Sequence, residues 1–198
     1  MIDKKVTTEN KELAKYITTI LGLNRTIQRH WDQDRSNFLD VFNCQDPIDS
    51  RIAFCGTIGL SDFPNEIEQK SGAIKNIPIE LLITGYKEYD KASNIISTCG
   101  FYISKNKWSC QPGSVFMRMV EMYYEKLEMK HILFTSPFLW EGKLHPLKLE
   151  SKTVNWLLAI PISDSELNYR NQLGAPALED LFEKKGVDIF DLNRKSVI

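Results

Sequence analysis

The chain has 198 residues, 42% of them hydrophobic, and carries 25 Lys and Arg against 26 Asp and Glu, for a formal net charge of −1. This is the size and composition of one soluble domain able to bury a sizeable core, and a charge so near zero excludes the global positive field of a nucleic-acid binder. No uninterrupted apolar run is long enough to span a bilayer, and the charged start "MIDKKVTTENKELAKY" has no apolar signal core, so neither nucleic acid nor membrane is expected as a direct partner and a cytoplasmic location is.

The first element is a helix over about residues 8–22. Leu13, Ile17, Ile20 and Leu21 recur at helical spacing, Thr8 or Asn10 is placed to cap it, and Gly22 to stop it. The stretches "TIQRHWD" and "NFLDVFNC" read as a strand pair around the polar "DQDRSN". Phe38, Asp40 and Phe42 alternate with Leu39 and Val41, which predicts a strand covered on both sides. A strand follows from Arg51 to Ile58, ended by Gly59 and Pro64, and another runs from Ile79 to Ile83 after a turn at Gly72.

Glu88 to Ile103 suits a helix with Ile95, Ile96, Cys99 and Ile103 on one face, although Gly100 weakens it by roughly 1 kcal/mol relative to alanine. "KWSCQPGSVF" is a loop with a Pro-Gly turn, His131 to Phe134 is a short buried strand, "EGKLHPLKLES" is a turn and edge segment, and "KTVNWLLAIPI" is the strongest strand. Two helices are expected near the C-terminus, over about 163–174 and 176–186, the second with Pro176 in its first turn and Gly186 as its stop. The last stretch, "VDIFDLNRKSVI", reads as a closing strand or an extended tail. There is no internal repeat or low-complexity linker. The expected fold class is α+β: a single domain across 1–198 with a mixed, mainly antiparallel sheet flanked by helices.

The segment "PISDSEL" crowds two serines beside two acids, as an active site does, yet its spacing has a structural reading. Ser163 and Glu166 fit the S-x-x-E capping box, and Ile162 and Leu167 sit where a hydrophobic staple fixes the entry of a helix. Pro161, lacking an N–H, suits the end of the strand before it. Elsewhere the chemistry is sparse. Ser136 lacks a G-x-S-x-G setting, and a hydrolase would need Ser136 or Cys110 to work with His131. The four cysteines show no C-x-x-C spacing, the three histidines are scattered and the glycines at 56 and 59 are not followed by Lys-Ser/Thr, so no metal or cofactor is expected.

Five segments, in order, resemble the Suppressor-of-fused domain family and its short bacterial antitoxin members: "TIGLSDFP", "ISTCGFYI", "MKHILFTSPFLWEGKL", "VNWLLAIPISDSELNY" and "LFEKKGVDIFDLNRKSV". The strand ending in "PIS" before an acidic helix start, together with "DIFDLNRKSV", is the most specific pair. The resemblance implies a non-enzymatic immunity protein that binds a cognate toxin in the cytoplasm. That toxin would be the C-terminal nuclease (DNase) domain of a secreted LXG protein. A general protein-binding adaptor, resembling the family's animal repressor, is an alternative. Both long halves of that repressor do not fit into 198 residues, so its partner-peptide cleft is not carried over.

Residues 32–68 hold eight acids against two bases, a candidate docking face for a basic partner. Its members are Asp32, Asp34, Asp40, Asp46, Asp49 and Asp62, with Trp31, Phe38 and Phe63 as anchors. Trp140, in "FLWEGKLH", is a second candidate contact. The alternative for the acids is a solvated face, and for Trp140 a place in the core. The capping reading carries its own test: Ser163→Ala is expected to lower stability by about 0.5–2 kcal/mol, measured as a shift in the urea midpoint, and to leave partner binding by the folded protein intact.

Overall fold

The alternation along Phe38–Gln45 dictates a sheet with two covered faces. Phe42 and Cys44 enter one apolar cluster and Leu39 and Val41 the other, since successive side chains of a strand leave opposite faces. A computed structural model of the chain describes residues 6–21 and 25–198. It begins with helix α1 (Thr8–Leu21), then strands β1 (Arg25–Trp31), β2 (Phe38–Gln45), β3 (Ile52–Ile58), β4 (Glu66–Glu68), β5 (Ile74–Asn76) and β6 (Ile79–Tyr86). Helix α2 (Ala92–Ser104) leads to β7 (Val115–Phe116), β8 (Met129–Thr135), β9 (Leu147–Lys148) and β10 (Thr153–Ser163), and helices α3 (Asp164–Leu173) and α4 (Ala175–Lys185) follow. Single 3-10 turns lie at 60–62 and 138–140. No helix among the described residues is long and apolar enough to cross a membrane.

The main sheet has the spatial order β1-β2-β3-β6-β10-β8-β7, with β9 also on β10, and β4 and β5 form a separate hairpin. Among the described residues, only β6 and β10 pair in parallel; the other pairs are antiparallel. This is the mixed, mainly antiparallel α+β architecture that the sequence predicts. On one face, Leu13, Ile17 and Leu21 of α1 and Leu178 and Phe182 of α4 join Phe54 and Leu158 of the sheet. On the other, Ile95, Ile96, Cys99 and Ile103 of α2 join Leu81, Ile83 and Phe134.

Several local details differ from the sequence reading. The hydroxyl that caps α1 is that of Thr7, which accepts the Asn10 N–H at 3.0 Å, and the expected stop at Gly22 lies outside the described residues. Helix α2 starts at Ala92 rather than Glu88: the chain first makes two tight turns, closed by the Tyr89 N–H on the Tyr86 carbonyl (3.0 Å) and the Ala92 N–H on the Tyr89 carbonyl (3.4 Å), while the Tyr89 hydroxyl donates to Asp191 of the C-terminal tail (2.5 Å). Gly100, a weak point by propensity, is where α2 comes closest to β2: a Cβ there would lie 2.5 Å from Leu39 Cδ1.

Pro161 does not end its strand; β10 runs on to Ser163. Within a strand the N–H and C=O of one residue point to the same side. The Pro161 carbonyl accepts from Arg194 at 3.0 Å, and pairing to β6 has already stopped at Ala159. The missing N–H therefore faces the tail, and the β8 ladder loses nothing.

The capping box forms as its spacing predicts. Ser163 Oγ accepts the Glu166 N–H at 3.1 Å and Glu166 accepts the Ser163 N–H at 3.0 Å. Glu166 also does more than cap. Fully buried, it takes both Nη atoms of Arg194, at 2.6 and 2.8 Å, and the Val197 N–H at 3.2 Å. The stretch after Gly186 is thus a tail without strand structure, pinned by Arg194 to the junction of β10 and α3. Removing one member of such a pair strands the other charge, so Glu166→Gln is expected to destabilise the fold by about 3–5 kcal/mol. Adding Arg194→Met should recover part of that loss, both read from urea unfolding at unchanged m-value.

Candidate functional site

The loop between β1 and β2 is built around one carboxylate. Asp32 is buried, and it accepts the backbone N–H groups of Ser36 (2.8 Å) and Asn37 (3.1 Å) and the Ser36 hydroxyl (2.8 Å). Burial pushes its carboxyl up, but the Asn37 N–H and the Ser36 and Asn37 side chains outweigh that and hold it below its ordinary value. Asp34, at the exposed tip, is held far down by the Lys105 ammonium at 2.8 Å and by Ser36. The loop is thereby tied to the C-terminal end of α2.

This rigid loop presents an aromatic pair. Trp31 is 45% exposed and packs tilted against Phe38 with ring centroids 5.3 Å apart. The Arg29 guanidinium lies 3.7 Å over the Phe38 ring and grips Asp40 with two bonds of 2.8 and 3.1 Å. Phe38, Asp40, Asp62 and Phe63 line one shallow cleft beside the start of α1. Asp62 in turn bonds Asn10 Nδ2 at 3.1 Å and pairs with Lys152. Five of the predicted site residues, Trp31 included, are thus brought together here.

Asp46 and Asp49 are elsewhere, in the β2–β3 hairpin at the far end of β2. Asp46 accepts the N–H groups of Ile48 and Asp49 at 2.7 and 2.6 Å, a side-chain-closed turn. Asp49 is held at about 2 by the Arg51 guanidinium and N–H. Trp140 faces inward. It is 8% exposed and meets Phe54 edge-on at 5.2 Å, so it is part of the core. The acids of 32–62 are therefore two separate groups whose members already have partners, not one continuous face.

The residues considered for hydrolysis are not assembled. His131 Nδ1 accepts the Arg118 N–H and Nε2 faces Asp164, both at 2.9 Å, while Ser136 lies past Thr135, the end of β8, which is itself about 13 Å from His131 at strand rise. Cys110 is locked by two bonds to Asn65, each 2.9 Å, and burial pushes its thiol well up. Burial likewise raises Cys44 to about 11 and Cys55 to about 12. Among the described residues, no group of three or more His, Cys, Asp or Glu side chains is placed to hold a metal ion.

One organising residue escaped the sequence reading. Glu80, fully buried in β6, accepts the Thr57 hydroxyl (2.6 Å) and the N–H groups of Gly59 (2.9 Å), Leu60 (3.2 Å) and Ser61 (3.0 Å). Burial pushes its carboxyl up against the pull of these donors. The signal available was a lone acid inside the apolar run "IPIELLIT".

The segment clasped by Glu80 and the segment clasped by Glu166 are both within the reach of a known family model. That model, the suppressor of fused protein, matches residues 35–195. The chain belongs to this family. Immunity protein YqcF of Bacillus subtilis is 35% identical over 193 residues, covering 98% of this chain and 99% of that one. Among solved structures, a suppressor of fused homologue from Neisseria gonorrhoeae superposes with a TM-score of 0.71 at 17% identity, covering 96% of both chains. A chain of the Sufu–Fu complex gives 0.63 at 12% identity, with 94% of this chain and 91% of that one covered. Drosophila Suppressor of Fused gives 0.55 at 12% identity, over 81% of this chain and 43% of that one. At these identities the structural likenesses establish the fold.

The lowered Asp32 and Asp34 carboxyls have a consequence for the loop. A carboxyl depressed in the folded state contributes stability that is complete above its unfolded value, about 4, and is lost as pH falls through the lower folded value. The amide resonances of Ser36 and Asn37 should therefore hold their positions down to about pH 4 and move toward those of an open loop only below it. Movement already between pH 6 and 5 would show that the carboxylates do not close the loop.

Proposed function

We propose that this chain is an immunity protein that binds and neutralises a cognate secreted toxin, without catalysis, in the cytoplasm of the cell that carries it. The observation that carries this reading is the end-to-end similarity to immunity protein YqcF. The toxin domain we favour is a nuclease, specifically the C-terminal DNase domain of an LXG-type protein. Nucleases that grip phosphate present basic surfaces, and acids at an interface raise the encounter rate with such a partner.

The docking surface on this reading is the β1–β2 end of the sheet. Trp31 and Phe38 are the anchors, because exposed rigid aromatics carry a large share of interface energy. Phe63, Asp40 and Asp62 flank them and Asp34 adds charge at the loop tip, while Asp46 and Asp49, at the far end of β2, contribute only a long-range negative field. Asp32 acts from inside by holding the loop, and Trp140 by supporting the core. Neutralisation then follows from occupancy, as a tightly held protein covers the toxin or an approach to it.

The test uses the C-terminal DNase domain of an LXG-type toxin, the partner proposed above, produced with and without this chain. Wild-type protein should form a one-to-one complex and protect cells that co-express the toxin. Trp31→Ala should weaken binding by at least about 30-fold, the loss of one hot spot of about 2 kcal/mol. Asp46→Lys with Asp49→Lys should slow association and change dissociation little. An absence of both complex and protection with wild-type protein would sink the immunity reading; unchanged affinity of Trp31→Ala would move the docking surface elsewhere.

A further inference from the structure

A second surface stands apart from the β1–β2 end. Between the 3-10 turn at Phe138–Trp140 and α4 with the following 186–190 segment lies an open groove of about 580 Å3. Its floor is apolar and already packed: Ile160, Phe182 and Ile189 are buried. Its walls are the half-buried Leu139, Val187 and Phe190, and Phe138, which leaves 49% of its surface exposed. A volume of this size takes several side chains.

The rim is of one sign. Glu141, Glu179, Asp180 and Glu183 line the groove and no Lys or Arg does. None of these four acids is in an ion pair among the described residues. In this they differ from Asp34, Asp40, Asp49 and Asp62, each of which is paired to a base. Lys184 and Lys185 follow on α4 but do not line the groove. Unpaired carboxylates beside a low-dielectric floor repel phosphate, whether of nucleic acid or of lipid, and favour a cationic partner.

We propose that this groove docks a basic amphipathic helix of a protein partner, apolar side chains against Phe138 and the floor, Lys or Arg against the four carboxylates. A helix fits better than an added strand. Beside the groove the strand edges are already taken: Phe134 exchanges backbone bonds with Gly113 and Ser114, and beyond Ala159, where β6 ends its pairing with β10, the Pro161 carbonyl is held by Arg194, so no free ladder is offered there. That the partner is the toxin rests on the immunity reading above; the binding chemistry does not.

Two arms separate these. In the first, the 15N-labelled full chain is titrated with an 18-residue helical peptide of leucine and lysine, leucines at i, i+3, i+4 and i+7, and with its leucine–glutamate counterpart. Shifts should localise to 138–141 and 179–190 with the lysine peptide alone, and Asp180→Lys with Glu183→Lys should weaken binding by about tenfold or more. Shifts spread over the β1–β3 acids, or unchanged affinity of the variant, would overturn the groove as a docking site. If melting shows that this variant is unfolded, Phe138→Asp at an exposed turn position takes its place with the same criterion. In the second arm the LXG-type DNase domain replaces the peptide. Failure of the toxin to bind wild-type protein counts against the immunity reading and leaves the peptide arm to judge the groove. Toxin binding that the groove variant leaves unchanged overturns the groove as the toxin's contact.

Discussion

A buried ion pair is costly unless every lone pair and proton is used, because each ion leaves water at a penalty of several kcal/mol. The Glu166–Arg194 pair is partnered on both carboxylate oxygens and both Nη atoms, and much of the C-terminal third is arranged by it. The carboxylate takes two guanidinium nitrogens and the N–H groups of Ser163 and Val197. The guanidinium reaches the carbonyls of Pro161 and Lys195 and lies 5.1 Å over the Phe182 ring. The end of β10, the start of α3, the underside of α4 and the tail must therefore arrive together. The acidic groove follows from this. It opens where α4 and residues 186–190 are held back against the sheet, and without the anchored tail it would have no far wall.

Glu80 does the same for the other end of the molecule. Its carboxylate sits in a nest of successive N–H groups and so fixes how the chain leaves β3 and turns through 59–62. That turn places Asp62 beside Asn10 of α1 and sets Phe63 into the cleft with Phe38. Each candidate surface is thus positioned by one buried carboxylate, and in both cases the carboxylate is invisible from outside. The division is reasonable physically. A buried charge tolerates almost no displacement, so it makes a precise strut, while the exposed residues it positions remain free to meet a partner.

What was legible in the sequence was local. The capping box at Ser163–Glu166, the helical stripes and the alternating strands each depend on residues a few positions apart, and each was found. The second role of Glu166 was hidden because its partner is 28 residues away, and Glu80 because its donors are 19 to 23 residues away. Pro161 looked like a strand stop because nothing nearby in sequence announces that Arg194 will occupy its edge. Yet of the five segments that carry the family resemblance, three contain the stretches that wrap the two carboxylates: "TIGLSDFP", "PISDSEL" and "DLNRKSV". The likeness was carried by residues whose individual tasks only the three-dimensional arrangement explains.

Charge counts along a sequence measure density, not availability. The stretch 32–68 holds eight acids, but Asp32 is consumed by its loop, Asp46 by a turn, and Asp34 and Asp62 by lysines 71 and 90 residues distant. Residues 179–185, with three acids and two lysines, look nearly neutral. A helix resolves that neutrality by geometry: Glu179, Asp180 and Glu183 share a side three and four residues apart, and the lysines that follow do not line the groove. What faces a partner there is an unbalanced negative edge on an apolar floor, where low dielectric strengthens each charge. Complementarity of this kind is set by which side of an element a charge occupies and by what its neighbours have already claimed, and both are properties of the fold.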